Sequence, residues 1–146
     1  MDLHTPGTLA LRQADQVKRD QSLIERLARE RNAWLCTLRA DGSPHVTPVW
    51  FVYLDDVFWV GSGERNVKVR NVGGDPRVSL ALEDGDAPAV AEGLVHVHRG
   101  QLREDVLAAL AAKYDGWAAG EEVEPFGARV LLEVPVKRWL LRGVAQ

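Results

Sequence analysis

The chain has 146 residues, 46% of them hydrophobic, and a formal net charge of −3. That length suits one domain over residues 1–146 with a sizeable core, and no apolar run approaches the roughly 20 residues that a membrane helix needs. The acidic balance, with a sequence pI near 5.8, argues against nonspecific nucleic-acid binding, which needs a dense basic surface; the short basic cluster from Arg65 to Arg70 does not reverse this.

The start, Met1-Asp-Leu-His, lacks the charged and apolar regions of a signal peptide, and the single Cys36 cannot form an internal disulfide. A cytoplasmic location is therefore expected, with residues 1–21 as a flexible N-terminal segment. Ser22-Leu-Ile-Glu25 has capping-box spacing and predicts the start of a helix whose Leu23, Ile24 and Leu27 share a stripe, placed to plug or cover a barrel end.

Trp34-Leu-Cys-Thr-Leu38 is dense in β-formers and ends at Asp41-Gly42, which supplies the positive φ of a tight hairpin. The returning strand, His45 to Tyr53, is apolar on both faces, as in a barrel wall covered by another chain. Asp55-Asp56 predicts a second turn and Val57 to Val60 a third strand, broken by Gly61-Ser-Gly63. A short basic helix, Val67-Lys-Val-Arg-Asn71, follows with Asn66 as its cap. Two hairpin patterns running into a capped basic helix suggest a cofactor site.

Residues 77 to 83 alternate, with Val78, Leu80 and Leu82 inward; Pro88 to His98 reads as one longer strand with Ala89, Ala91, Val95 and Val97 on one face. Arg103 to Tyr114 has helical spacing at Val106, Leu107, Leu110 and Tyr114. Asp115 to Gly127 reads as a loop, and residues 129–134 and 138–142 as two final strands. There is no internal repeat or low-complexity tract.

Lys68 falls in the first turn of the basic helix, where unpaired backbone N–H groups and the positive dipole end favour an anion. Two readings stand: a phosphate anchor, or a solvated surface lysine.

The text Leu38-Arg-Ala-Asp-Gly-Ser-Pro-His-Val-Thr-Pro-Val-Trp-Phe51, then Lys68-Val-Arg-Asn71, Asp75-Pro-Arg-Val-Ser-Leu80 and Val134-Pro-Val-Lys-Arg-Trp139, resembles the pyridoxamine 5'-phosphate oxidase-like superfamily. Within it the chain is similar to the flavin/deazaflavin oxidoreductases, over about 110 residues. The resemblance implies a mainly β (α+β) fold, a split β-barrel of six to seven antiparallel strands with flanking helices, of the FMN-binding type. It implies a homodimer with the cofactor in a groove between subunits. It also implies a phosphate held by Lys68, with Ser62, Asn66 and Val67 near it, a pocket drawing on His45, Val46, Thr47 and Pro48, and Trp139 reaching in from the partner chain.

FMN-binding oxidases of this superfamily commonly carry arginines where this chain has Thr47 and Val67. With two phosphate-gripping cations fewer, the resemblance is nearer the members that bind coenzyme F-420, whose tail is a phosphodiester. The function implied is reduction of a conjugated small molecule by hydride transfer from F-420. The alternatives are an FMN-dependent oxidase or reductase, and a noncatalytic deazaflavin or haem binding protein.

No residue is an obvious proton donor. His96, His98 and Glu92 share a strand face, but a catalytic metal needs three well-placed ligands, and an exposed polar face explains them better; no metal site is assigned. Cys36 on an apolar strand reads as a small hydrophobe. His45 and Thr47 suit either ring contact or ordinary cross-strand pairing.

Overall fold

The computed structural model describes residues 6–145. Three helices, α1 (Pro6–Arg29), α2 (Val67–Gly74) and α3 (Glu104–Lys113), flank eight strands. The strands are β1 (Ala33–Leu38), β2 (Pro44–Val49), β3 (Val52–Leu54), β4 (Val57–Gly63), β5 (Arg77–Leu82), β6 (Ala89–Leu94), β7 (His96–His98) and β8 (Arg129–Arg142). All pairings are antiparallel, in the order β2-β1-β5-β6-β8-β4-β3 with β7 on β8. This is the split β-barrel type of fold that the sequence predicts.

The strand count differs from six to seven for physical reasons. The long strand predicted over His45 to Tyr53 is two, because the Phe51 N–H donates to the Tyr114 hydroxyl at 2.8 Å instead of to a neighbouring strand. The strand predicted over Pro88 to His98 is likewise cut, and the Val95 N–H donates to the Pro76 carbonyl at 2.9 Å. Conversely, 129–134 and 138–142 merge into β8, whose first half pairs with β4 and second half with β6, joining the two groups of strands. Its turn from one partner to the other is crowded: a β-carbon on Gly93 would stand 2.5 Å from the Pro135 carbonyl oxygen. Gly61-Ser-Gly63 does not break the third strand either, since β4 runs on through Gly63.

The two predicted turns are as read. Asp55 and Asp56 have φ of 51° and 64°, and Gly42 has φ of 85°. β2 lies at a sheet edge, which is where Pro44 and Pro48, lacking N–H donors, are tolerated.

Helix α1 begins at Pro6, so Ser22 is not its cap; a Ser-x-x-Glu spacing also occurs within helices. Of the flexible segment expected over residues 1–21, residues 1–5 lie outside the described residues and the rest belongs to α1. Leu23 and Leu27, one turn apart, are buried, whereas Ile24 is 57% exposed and leaves the predicted stripe. No helix among the described residues is long and apolar enough to cross a membrane.

Two apolar clusters share the sheet. The inner one joins Leu35, Phe51, Phe58, Val60, Leu80 and Leu132 with Leu23 and Leu27 of α1 and Val69 and Val72 of α2. The outer one sets Val106, Leu110 and Tyr114 of the α3 segment against Val52, Trp59 and Leu131. Helix α2 thus stands over the inner side of the sheet, which fixes where its first turn points.

Candidate functional site

The site is built from the junction of β4 and α2. Asn66 has extended backbone (φ −69°, ψ 145°) and its side-chain oxygen accepts from the Lys68 N–H, so it caps the helix as its residue type predicts. The same oxygen accepts from Lys68 Nζ at 3.0 Å. Lys68 is half-buried, and burial first, then the nearby Arg129 guanidinium, hold its ammonium below the ordinary lysine range. Among the described residues no carboxylate pairs with Lys68, Arg65 or Arg129, while Glu64 of the same turn is held by Arg99 at 3.0 Å. A positive cluster without a counter-ion, beside helix N–H groups, is chemically an anion receptor.

One helical turn beyond Lys68, Asn71 donates to the Thr37 hydroxyl at 3.0 Å, with both residues buried, which ties α2 to β1. Thr37 is the register partner of His45, and Leu35 that of Thr47. His45 and Thr47 are therefore on the sheet face that α2 covers. His45 Nδ1 and Thr47 Oγ1 are buried without any hydrogen-bond partner. Buried polar atoms are satisfied in most native structures, so two such atoms on one strand face, unpartnered among the described residues, are free to hydrogen-bond a bound group.

The predicted site residues are thus only partly assembled. Ser62, Asn66, Val67 and Lys68 follow one another around the end of β4 and the start of α2, with Ser62 buried. His45 and Thr47 are on the face beneath α2. Val46 and Pro48 alternate to the opposite face, where Val46 is 53% exposed. Val67, with Arg70, Asn71 and Gly74, turns toward a cleft of about 640 Å³ between α2 and the β1–β2 hairpin, which Leu38, Arg39 and Gly42 also line. Trp139 is elsewhere: its ring packs on Tyr53 and Phe58, and it borders clefts with Asp56 and Arg142 near α1.

The histidine pair is not brought into a cluster. His98 Nε2 lies 2.9 Å from Glu133 Oε1, and Glu92, on a separate strand, is bound by Arg138. Among the described residues no group of three or more His, Cys, Asp or Glu side chains could hold a metal ion. Arg129 and Thr37, which the sequence does not single out, lie beside the predicted site residues: Thr37 bonds to Asn71 and Arg129 acts on the Lys68 ammonium. Neither carries a motif; their placement comes from strand pairing.

Residues 20–143 match the family model described as pyridoxamine 5'-phosphate oxidase. The chain belongs to that family. Solved structures of similar fold include an F420 reductase, 25% identical, with 79% of this chain and 93% of that chain covered and a TM-score of 0.63. An FAD-binding protein from Mesorhizobium loti is 20% identical (82% and 88% covered, TM-score 0.61), and a haem storage protein from Vibrio cholerae is 19% identical (84% and 94% covered, TM-score 0.64). The last two likenesses show the fold alone. No curated protein sequence matches the chain significantly. Proteins of this fold thus include an F420 reductase, an FAD-binding protein and a haem storage protein.

Proposed function

We propose that this protein, as one domain over residues 1–146, is a cytoplasmic oxidoreductase that uses coenzyme F-420 to reduce a conjugated small molecule by hydride transfer. The observation that carries this reading is the half-buried Lys68 ammonium, bonded to Asn66 and lacking a carboxylate partner among the described residues, in a site where Thr47 and Val67 stand in place of arginines. The likeness to an F420 reductase supports it.

In this reading Lys68 holds the phosphate at the start of α2, and Ser62 and Asn66 lie beside it. The orphan Nδ1 of His45 and hydroxyl of Thr47 meet polar atoms of the ring system or its ribityl chain. When bound, the cofactor supplies the two-electron chemistry, and the chain supplies binding, orientation and exclusion of water. A homodimer completes the groove. The outward face of β1 and β2 favours it, because Trp34 (44% exposed) and Val46 (53% exposed) form an apolar surface there with Pro48 and Cys36. Trp139, and Val46 and Pro48 across the sheet from His45, are then contributed at the subunit junction.

Titration of purified protein with F-420 and with FMN tests the reading. Tighter binding of F-420, lost in Lys68→Ala, is expected. Tighter binding of FMN replaces it by the flavin-dependent alternative, and unchanged affinity in Lys68→Ala removes the anchor. Tight binding of F-420 with no turnover on quinones, enones or bilins supports a carrier instead.

A further inference from the structure

The two cations that the sequence lacks at Thr47 and Val67 leave a charge deficit at a phosphate site, and the fold brings another cation to it from the far end of the chain. Gly63, the last residue of β4, is the register partner of Arg129, the first residue of β8. The turn that leads from Gly63 to α2 is laced to the residues before Arg129 by two backbone hydrogen bonds, Glu64 N–H to the Ala128 carbonyl and Arg65 N–H to the Phe126 carbonyl, both 2.8 Å. Arg129 is therefore fixed next to the α2 cap by the backbone itself, whatever its side chain does.

The side chain is also fixed. Arg129 Nε donates to the Ala119 carbonyl at 2.7 Å, and its guanidinium is 5.8 Å from the centre of the Trp117 ring. Nη2 lies 3.6 Å from where a Gly61 β-carbon would stand. That anchoring uses one of five guanidinium N–H donors and leaves its charge without a carboxylate among the described residues. Arg129 is half-buried, as Lys68 is, and Lys68 feels its field. Two half-buried cations in each other's field, neither paired with an acid among the described residues, repel each other, and an anion that both can reach offsets that repulsion.

Resting on the functional reading above, we propose that Arg129 is a second phosphate-binding residue. It works with Lys68 on the phosphoryl oxygens of a flavin-type cofactor and replaces the arginines absent at Thr47 and Val67. Its preformed fork suits a phosphate diester or monoester better than a second lysine would.

The test compares wild type, Arg129→Gln and Arg129→Lys in fluorescence titrations at several salt concentrations. F-420 and FMN serve as the phosphate-bearing probes. Riboflavin and the deazaflavin chromophore without its phosphate serve as the phosphate-free ones. Arg129→Gln is expected to weaken phosphate-bearing probes by about 10-fold to 100-fold. It should flatten the salt dependence of their binding and leave the phosphate-free probes unchanged; Arg129→Lys should restore part of the loss. Equal losses for both kinds of probe, or no loss at all, overturn the proposal while the functional reading stands. Wild-type protein that binds none of the probes overturns both.

Discussion

One oxygen of Asn66 serves both ends of Lys68, lying 3.4 Å from its backbone nitrogen and 3.0 Å from Nζ. The cap and the ammonium are thus one unit, and substitutions at residue 66 separate them. Asn66→Ala removes the cap and is expected to cost about 1 kcal/mol in urea unfolding. Asn66→Asp keeps a good cap, and stability with it, but places a negative charge at the proposed phosphate site. Equilibrium titration should therefore show cofactor affinity falling further in Asn66→Asp than in Asn66→Ala; the opposite order would separate Asn66 from the anion site.

Lys68 sets a pH dependence. Its pKa in the folded protein lies below the ordinary 10.5, through burial and then Arg129, so the free site loses its charge at a lower pH than an exposed lysine would. Cofactor affinity is greatest below that lowered value and falls as pH rises through it. In the protein without cofactor the sign is opposite for stability: between the lowered value and 10.5 the unfolded chain binds more protons, so stability rises with pH across that window. Lys68→Arg keeps its charge throughout and should show a flat affinity profile from the neutral range up to 10.5, the ordinary lysine value. Parallel decline in the two proteins would assign the titration to another group.

What could be read from the sequence was local. The Asp41-Gly42 and Asp55-Asp56 turns and the Asn66 cap depend on the φ preferences and side-chain acceptors of those same residues, and each was legible. With them came the order Ser62, Asn66, Val67, Lys68. The interruption at Phe51 was not legible, because it depends on a tyrosine hydroxyl from residue 114. Nor was the merging of two strands into β8, in which the Val136 N–H beyond Pro135 finds the Asp56 carbonyl at 3.0 Å. Arg129 was hidden for the same reason: only the pairing of β4 with β8 brings it to the cap.

Tyr114 is a test of that long-range tie. Its hydroxyl accepts the Phe51 N–H at 2.8 Å and donates to the Arg31 carbonyl at 2.7 Å, while its ring stacks on Trp50 at 4.6 Å and 6°. Tyr114→Phe keeps the stack and orphans a buried N–H, for a loss of about 1–3 kcal/mol in chemical denaturation. A loss below about 0.5 kcal/mol would mean that water replaces the hydroxyl.

Gly63 is expected to tolerate no side chain. A β-carbon there would stand 2.6 Å from the Phe126 carbonyl oxygen, which is itself the acceptor for the Arg65 N–H. Gly63→Ala must therefore push the 126–128 segment away from the turn that positions Lys68 and Arg129. Overpacking of this kind costs about 1–3 kcal/mol. Because the displaced segment leads directly into Arg129, thermal unfolding should show the loss of stability and titration a loss of cofactor affinity together. A Gly63→Ala protein with wild-type melting temperature and affinity would show that the segment yields freely.

The exposed apolar face of β1 and β2 makes a separate prediction about assembly. Val46 projects from an edge strand beside Cys36, with Trp34 diagonally across and Pro48 two residues along the same strand, and a carboxylate at its centre would be desolvated against a second copy. Val46→Glu is therefore expected to shift a dimeric wild type toward monomer in sedimentation velocity while leaving the fold intact by circular dichroism, because residue 46 faces away from the core. If the groove is completed by the partner, cofactor affinity falls with the dimer and recovers as protein concentration rises. A monomeric wild type, or a monomeric variant that binds cofactor at full strength, would confine the site to a single subunit and remove Trp139 from it.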